Sequence, residues 1–179
     1  RDNWASRWLG DVYKRQILFT ILLIAACDQI ESSDNSSSSI EYIYEPTYQK
    51  EWKIGSSENI MIVQKMHKAI EDGDFDLAYS FMSDDIIIQH GDGSQTNSLE
   101  EFKELYDDAY KSSNFRNVGV GVNISVISEE GHEWVLLWDR ATYDGPDGSE
   151  MTDLYQEAFR IEDGKIIRVN QFFKPLIEN

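Results

Sequence analysis

The 179-residue chain carries 33 acidic against 16 basic residues, a formal charge of −17 that repels phosphate backbones and excludes nucleic acid as a partner. Its 41% apolar content, with eight Phe, nine Tyr and five Trp, can fill the core of one ordinary domain. From Glu58 onward the density of aromatic and β-branched residues is too high for a disordered chain.

Residues 1–16, RDNWASRWLGDVYKRQ, share no hydrophobic period with the rest of the chain. The hexapeptide DVYKRQ reads like the translation of a transposon end used in sequencing libraries, so this stretch is set aside from fold reasoning. The alternative is that Lys14 and Arg15 are the positive n-region of a signal peptide. Residues 17–26, ILFTILLIAA, are uncharged and about half the length of roughly 20 residues that a membrane-spanning helix needs. They suit a signal h-region. Ile24-Ala25-Ala26-Cys27 is similar to the bacterial lipobox, which makes Cys27 the expected lipidation site and the bacterial cell envelope the expected location. Residues 28–55 then read as a Ser-rich tether followed by an extended, aromatic arm broken by Pro46.

The domain is expected over residues 56–179. Ile60, Val63, His67 and Ile70 form a helical stripe with Ser56 or Ser57 as N-cap, and Gly73 ends it. Phe75, Ala78, Tyr79 and Met82 predict a second short helix capped by Asp74, and residues 86–90 (IIIQH) a short buried strand. A capping box at Ser98-Leu99-Glu100-Glu101 opens a third helix through Phe102, Leu105, Tyr106 and Ala109. Four strands come next, near residues 115–128, 132–143, 151–161 and 165–174, separated by Gly-containing turns. Helices first and a strand meander afterwards is an α+β pattern.

This order, with Gly73-Asp74-Phe75-Asp76-Leu77 leading to Phe81-Met82-Ser83-Asp84-Asp85-Ile86 and later Phe159-Arg160-Ile161-Glu162-Asp163-Gly164, resembles the SnoaL-like members of the nuclear transport factor 2-like superfamily over residues 58–175. The resemblance implies a cone: a curved antiparallel sheet packed against three N-terminal helices, with an apolar pocket at its open end. It also implies a possible homodimer through the outer sheet face. Family members include isomerases, dehydratases, cyclases, epoxide hydrolases and domains without chemistry, so the fold alone assigns no function.

By the ketosteroid-isomerase pattern, counting from Asp84-Asp85 places His90 as general base, and Glu157, two residues before Phe159-Arg160, as a neutral acid. The tyrosine that shares the acid's role in that branch falls at Met66, which donates no hydrogen bond. Met66, Tyr79 and Trp138 are the expected pocket walls. The competing readings are that His90 is satisfied by the Gly91-Asp92 loop and that Glu157 pairs with Arg140 or Arg168. Asp139-Arg140 invites comparison with an epoxide-opening relay, but adjacent strand residues face opposite ways, so surface pairing is expected. His67, His90 and His132 lie on separate elements without HxH or HExxH spacing, so neither metal nor other cofactor is expected. Two functions are compatible with these residues: a lipid-anchored module that binds a small hydrophobic molecule or a partner chain, which the sequence favours, and a cofactor-free acid-base enzyme acting on such a molecule. The direction of His90 and Glu157 separates them.

Overall fold

The computed structural model describes residues 42–46 and 51–176. Cys27, the apolar segment before it and the serine tether lie outside the described residues. No helix among the described residues is long and apolar enough to cross a membrane.

Helix α1 spans Ser57–Glu71, and Ser56 caps it by accepting from the Glu58 amide at 3.0 Å. Its inward stripe buries Val63, Met66 and Ala69. The helix stops at Gly73, whose φ of +74° is one that only glycine adopts without strain. There the Gly73 amide donates to Ile70 and the Asp74 amide to Ala69, which satisfies two terminal carbonyls. Asp74 then caps α2, Phe75–Ser80, by accepting from the Leu77 amide at 3.1 Å. One residue thus closes the first helix and opens the next. Helix α3, Leu99–Ser112, starts as expected at Ser98, which accepts from the Glu101 amide at 3.0 Å; Glu101 reaches back to the Asn97 amide at 2.6 Å.

Seven strands form one sheet: β1 Lys53–Ile54, β2 Met82–Gln89, β3 Gln95–Thr96, β4 Arg116–Ile127, β5 Glu133–Asp144, β6 Glu150–Glu162 and β7 Lys165–Pro175. Their order across the sheet is β1-β4-β5-β6-β7-β2-β3. The meander β4 to β7 is antiparallel, but β2 pairs with β7 in parallel, so the sheet is not wholly antiparallel. Strand β2 begins at Met82, four residues before the expected Ile86. Met82 lies beside Ile166, and a register shift before Ile87 lets the strand continue past the exposed Asp84 and Asp85. At the other edge Lys53 and Ile54 pair with Ile127 and Val126, so the end of the expected arm belongs to the sheet.

Two register shifts in β4, between Asn117 and Gly119 and between Val120 and Val122, bend the sheet. Side chains of the inner face alternate along each strand: Val135, Leu137, Asp139 and Ala141 on β5, and Asp153, Glu157, Phe159 and Ile161 on β6. Val135, Leu137, Phe159 and Ile161 pack with Val63, Met66, Tyr79, Ile86 and Phe102 into one core between sheet and helices. The opposite phase faces outward. Trp138 is 49% exposed and Phe172 68% exposed, so Trp138 is an outer-face residue and not the pocket wall the sequence suggested.

Candidate functional site

A cavity of about 230 Å³ opens between the inner sheet face and the helices. Apolar and aromatic side chains dominate its lining, among them Met66, Ile70, Tyr79, Phe102, Tyr110 and Phe159. Three ionisable groups from three elements meet in it: His67 on α1, Asp139 on β5 and Glu157 on β6. One ligand-type atom from each lies within 4.8 Å of the others.

The local structure fixes each group. His67 sits one turn after Val63, and its Nδ1 lies 3.1 Å from the Val63 carbonyl, so Nδ1 carries a proton and donates it. Nε2 is thereby turned toward Glu157, 3.4 Å from its Oε2. The ring stands edge-on to Phe159, with centroids 5.6 Å apart. Glu157 lies opposite Gln171 across the β6–β7 ladder, and the Gln171 amide donates to Oε1 at 2.9 Å. Asn117 donates to Asp139 Oδ2 at 2.5 Å, while Oδ1 is buried without a hydrogen-bond partner among the described residues.

Burial and neighbouring charges act on two of these groups, and both are shifted upward. Burial opposes the charged form of His67, but the hydrogen bond to Glu157 and the charges of Glu157 and Asp139 outweigh it and hold its pKa above the ordinary 6.5. Burial, reinforced by repulsion from Glu157, pushes Asp139 up from 3.8 to about 6, against the pull of His67 and Asn117. The site therefore favours the protonated form of His67 beside Glu157, next to an Asp139 carboxyl basic enough to take a proton near neutrality.

The residues singled out in the sequence divide. Met66, Tyr79, His90 and Glu157 all line the cavity, and Trp138 does not. His90 and Glu157 share the cavity but have different partners. The His90 ring packs 4.5 Å from Tyr106 and lies parallel to Phe102, with Nε2 3.3 Å from Thr96 Oγ1. Burial, opposed only by Asp92, lowers its pKa and favours the neutral imidazole. Glu157 bonds to His67 and Gln171, and neither Arg140 nor Arg168 is its partner. Asp139 is the inward member of the Asp139-Arg140 pair: it is only 6% exposed, so the surface pairing expected for it is replaced by a place in the cavity. His67, Asp139, Gln171 and Asn117 were not legible as a site. The one available signal was a histidine inside an otherwise aliphatic helical stripe. The three-group cluster is also a geometric candidate for a cation, which the histidine spacing did not suggest because its members are far apart in sequence.

The profile of the SnoaL-like domain matches residues 63–169, more than half of the chain. The chain belongs to the SnoaL-like family. This SnoaL-like domain is similar in fold to an M. tuberculosis LEH-like epoxide hydrolase, with 18% identity, 66% of this chain and 84% of that chain covered, and a TM-score of 0.55. It is equally similar to a Δ5-3-ketosteroid isomerase from Mycobacterium sp., with 15% identity, coverage of 68% and 100%, and a TM-score of 0.55. A nuclear transport factor 2-like protein of unknown function from Burkholderia pseudomallei gives 16% identity, coverage of 66% and 92%, and a TM-score of 0.56. No curated protein sequence matches the chain. At these identities the SnoaL-like domain shares the fold with all three and the chemistry of none by inheritance.

Proposed function

We propose that the SnoaL-like domain binds a small hydrophobic molecule and moves a proton on it by cofactor-free acid-base catalysis. The observation that carries this reading is the meeting of His67, Glu157 and Asp139 in one mainly apolar cavity, with a carboxylate oxygen left unpaired. Asp139 takes a proton from a carbon next to a carbonyl. The proton shared by His67 and Glu157 is offered to the carbonyl oxygen as negative charge develops there; Asp139 then returns a proton, to the same carbon after trading it with solvent, which is exchange, or to another carbon of an extended enol, which is isomerisation. Burial brings the Asp139 carboxyl up from 3.8 to about 6, which lets it take and return a proton near neutrality as an ordinary aspartate does not. The epoxide hydrolase and ketosteroid isomerase of similar fold support chemistry in such a cone without specifying it.

The test is hydrogen–deuterium exchange at the α-carbon of a panel of small hydrophobic ketones in D₂O, monitored by NMR. The SnoaL-like domain is expected to accelerate exchange on at least one ketone. His67→Gln and Asp139→Asn should each slow it by about a hundredfold or more, since a positioned acid or base contributes 10²- to 10⁴-fold. A smaller loss is expected for His90→Ala. If His90→Ala costs the hundredfold instead, the base is His90; if no ketone exchanges above buffer while ligands still bind, the domain is a binding module.

We also propose that the domain is held at the bacterial envelope through acylated Cys27, because acyl chains contribute about 0.8 kcal/mol per buried methylene. Cys27→Ser, expressed behind a complete signal peptide, should move the protein from the membrane pellet to the soluble fraction. Retention in the pellet would refute the anchor. We also propose a homodimer through the outer sheet face, where Trp138, Leu154 and Phe172 stand exposed.

A further inference from the structure

The cavity lining holds Asp139 and Glu157 but neither lysine nor arginine. An anionic ligand would meet only two imidazoles, His67, which Glu157 already engages, and His90, whose positive form burial disfavours. Aromatic rings surround the same space. Tyr110 and Phe115 lie with ring centroids 6.5 Å apart, and Tyr155 stands opposite Asp139 across the β5–β6 ladder. Tyr143 and Tyr155 both donate to one oxygen of Asp153, at 2.8 and 3.5 Å. Asp153 is only 2% exposed, and its other oxygen, like Oδ1 of Asp139, is buried without a hydrogen-bond partner among the described residues.

Buried carboxylate oxygens are ordinarily paired, so two without donors on one inner sheet face mark a surplus of acceptors and of negative charge. Rings whose hydroxyls are committed to a carboxylate keep their electron-rich faces for other contacts. Such faces attract cations, and quaternary ammonium groups in particular are held by cages of several aromatic rings.

We propose that the ligand of this cavity carries an ammonium group, held among Tyr110, Phe115, Tyr143 and Tyr155 in the field of Asp153, with its hydrophobic body directed toward Asp139 and Glu157. This rests on the proposed function and names its substrate class. The charged end is then recognised by rings and a buried carboxylate, and the reacting carbon is left to the acid-base groups.

Isothermal titration of the full-length protein with three probes decides it: benzyltrimethylammonium, its uncharged carbon analogue neopentylbenzene, and phenylacetate. The cation is expected to bind at least about tenfold more tightly than the neutral analogue, and phenylacetate to bind more weakly than either. Tyr155→Leu and Asp153→Asn should cut the preference for the cation to less than about threefold, whereas Tyr155→Phe, which keeps the ring, should retain it. Equal affinity for cation and neutral analogue, tighter binding of phenylacetate, or binding of none of the three overturns the assignment. So does stoichiometric uptake of Zn²⁺ that is lost in Asp139→Asn, in a protein that ignores benzyltrimethylammonium. The ketone-exchange assay uses none of these probes, so acid-base catalysis can stand or fall separately from the ammonium class.

Discussion

Replacing Phe159 by alanine is expected to lower the stability of the domain by about 3–5 kcal/mol, the usual cost of removing a fully buried phenyl ring. Phe159 is 1% exposed and lies between Val135 and Val169 in the sheet ladder. It also supports the edge-on ring of His67. The loss is therefore of two kinds: apolar area returned to water, and a void beside the His67 ring. Equilibrium denaturation measures the first. Phe159→Leu, which fills more of the space, should cost only about 1–2 kcal/mol. A loss below about 1 kcal/mol for the alanine variant would mean that the inner sheet face is not the core.

Stability should also fall between pH 4.5 and pH 8, the reverse of what carboxylate-rich proteins commonly show. Asp139 is held at about 6 against its ordinary 3.8, so the folded state binds this proton more tightly than the unfolded chain does. The resulting destabilisation is absent below pH 3.8, grows through the interval to 6 and is complete above it. A shift of that size corresponds to about 3 kcal/mol, which water in the open cavity reduces to about 2 kcal/mol. His67 acts in the same direction: its raised pKa adds stability that is complete below 6.5 and disappears as the pH rises through its folded value. Glu133, held low by Ser125 and the Ser56 amide against its own desolvation, loses its contribution only as the pH falls below its ordinary 4.5. The optimum therefore lies in mild acid. Melting temperatures across this range should decline toward alkaline pH in the native protein, and Asp139→Asn should flatten the decline and stabilise the domain at pH 7 by about 1–2 kcal/mol. A native protein that gains stability from pH 4.5 to 8 would contradict the charge assignment.

Much of the fold was legible because its signals are local. Ser56, Asp74 and Ser98 cap the helices that their sequence contexts announce, and Gly73 stops α1 where a positive φ is required. The parallel pairing of β2 with β7 was not legible, since it joins segments about eighty residues apart and no turn specifies it. The site was lost on a single question of phase. In β5 the two alternating sets, Trp134, Leu136 and Trp138 against Val135, Leu137 and Ala141, are both apolar, so hydrophobicity does not say which faces inward. Reading Trp138 as the wall left Asp139 outside; the register puts Asp139 in and Trp138 out. His67 was obscured differently. It occupies a position that a core residue would fill, and only the arrival of Glu157 from a strand ninety residues later makes it part of a site. The cavity position of Glu157 was legible, because it stands at a fixed distance from the Phe159-Arg160 pair.

The acid-base site is tested most directly by titrating His67 by NMR in the native protein and in Glu157→Gln. The expected midpoint lies above 6.5 in the native protein, because Glu157 stabilises the imidazolium against burial, and it should fall once the carboxylate becomes an amide. A midpoint at or below 6.5 that is the same in both proteins would show that the two side chains do not share a proton, and the acid-base site would be refuted.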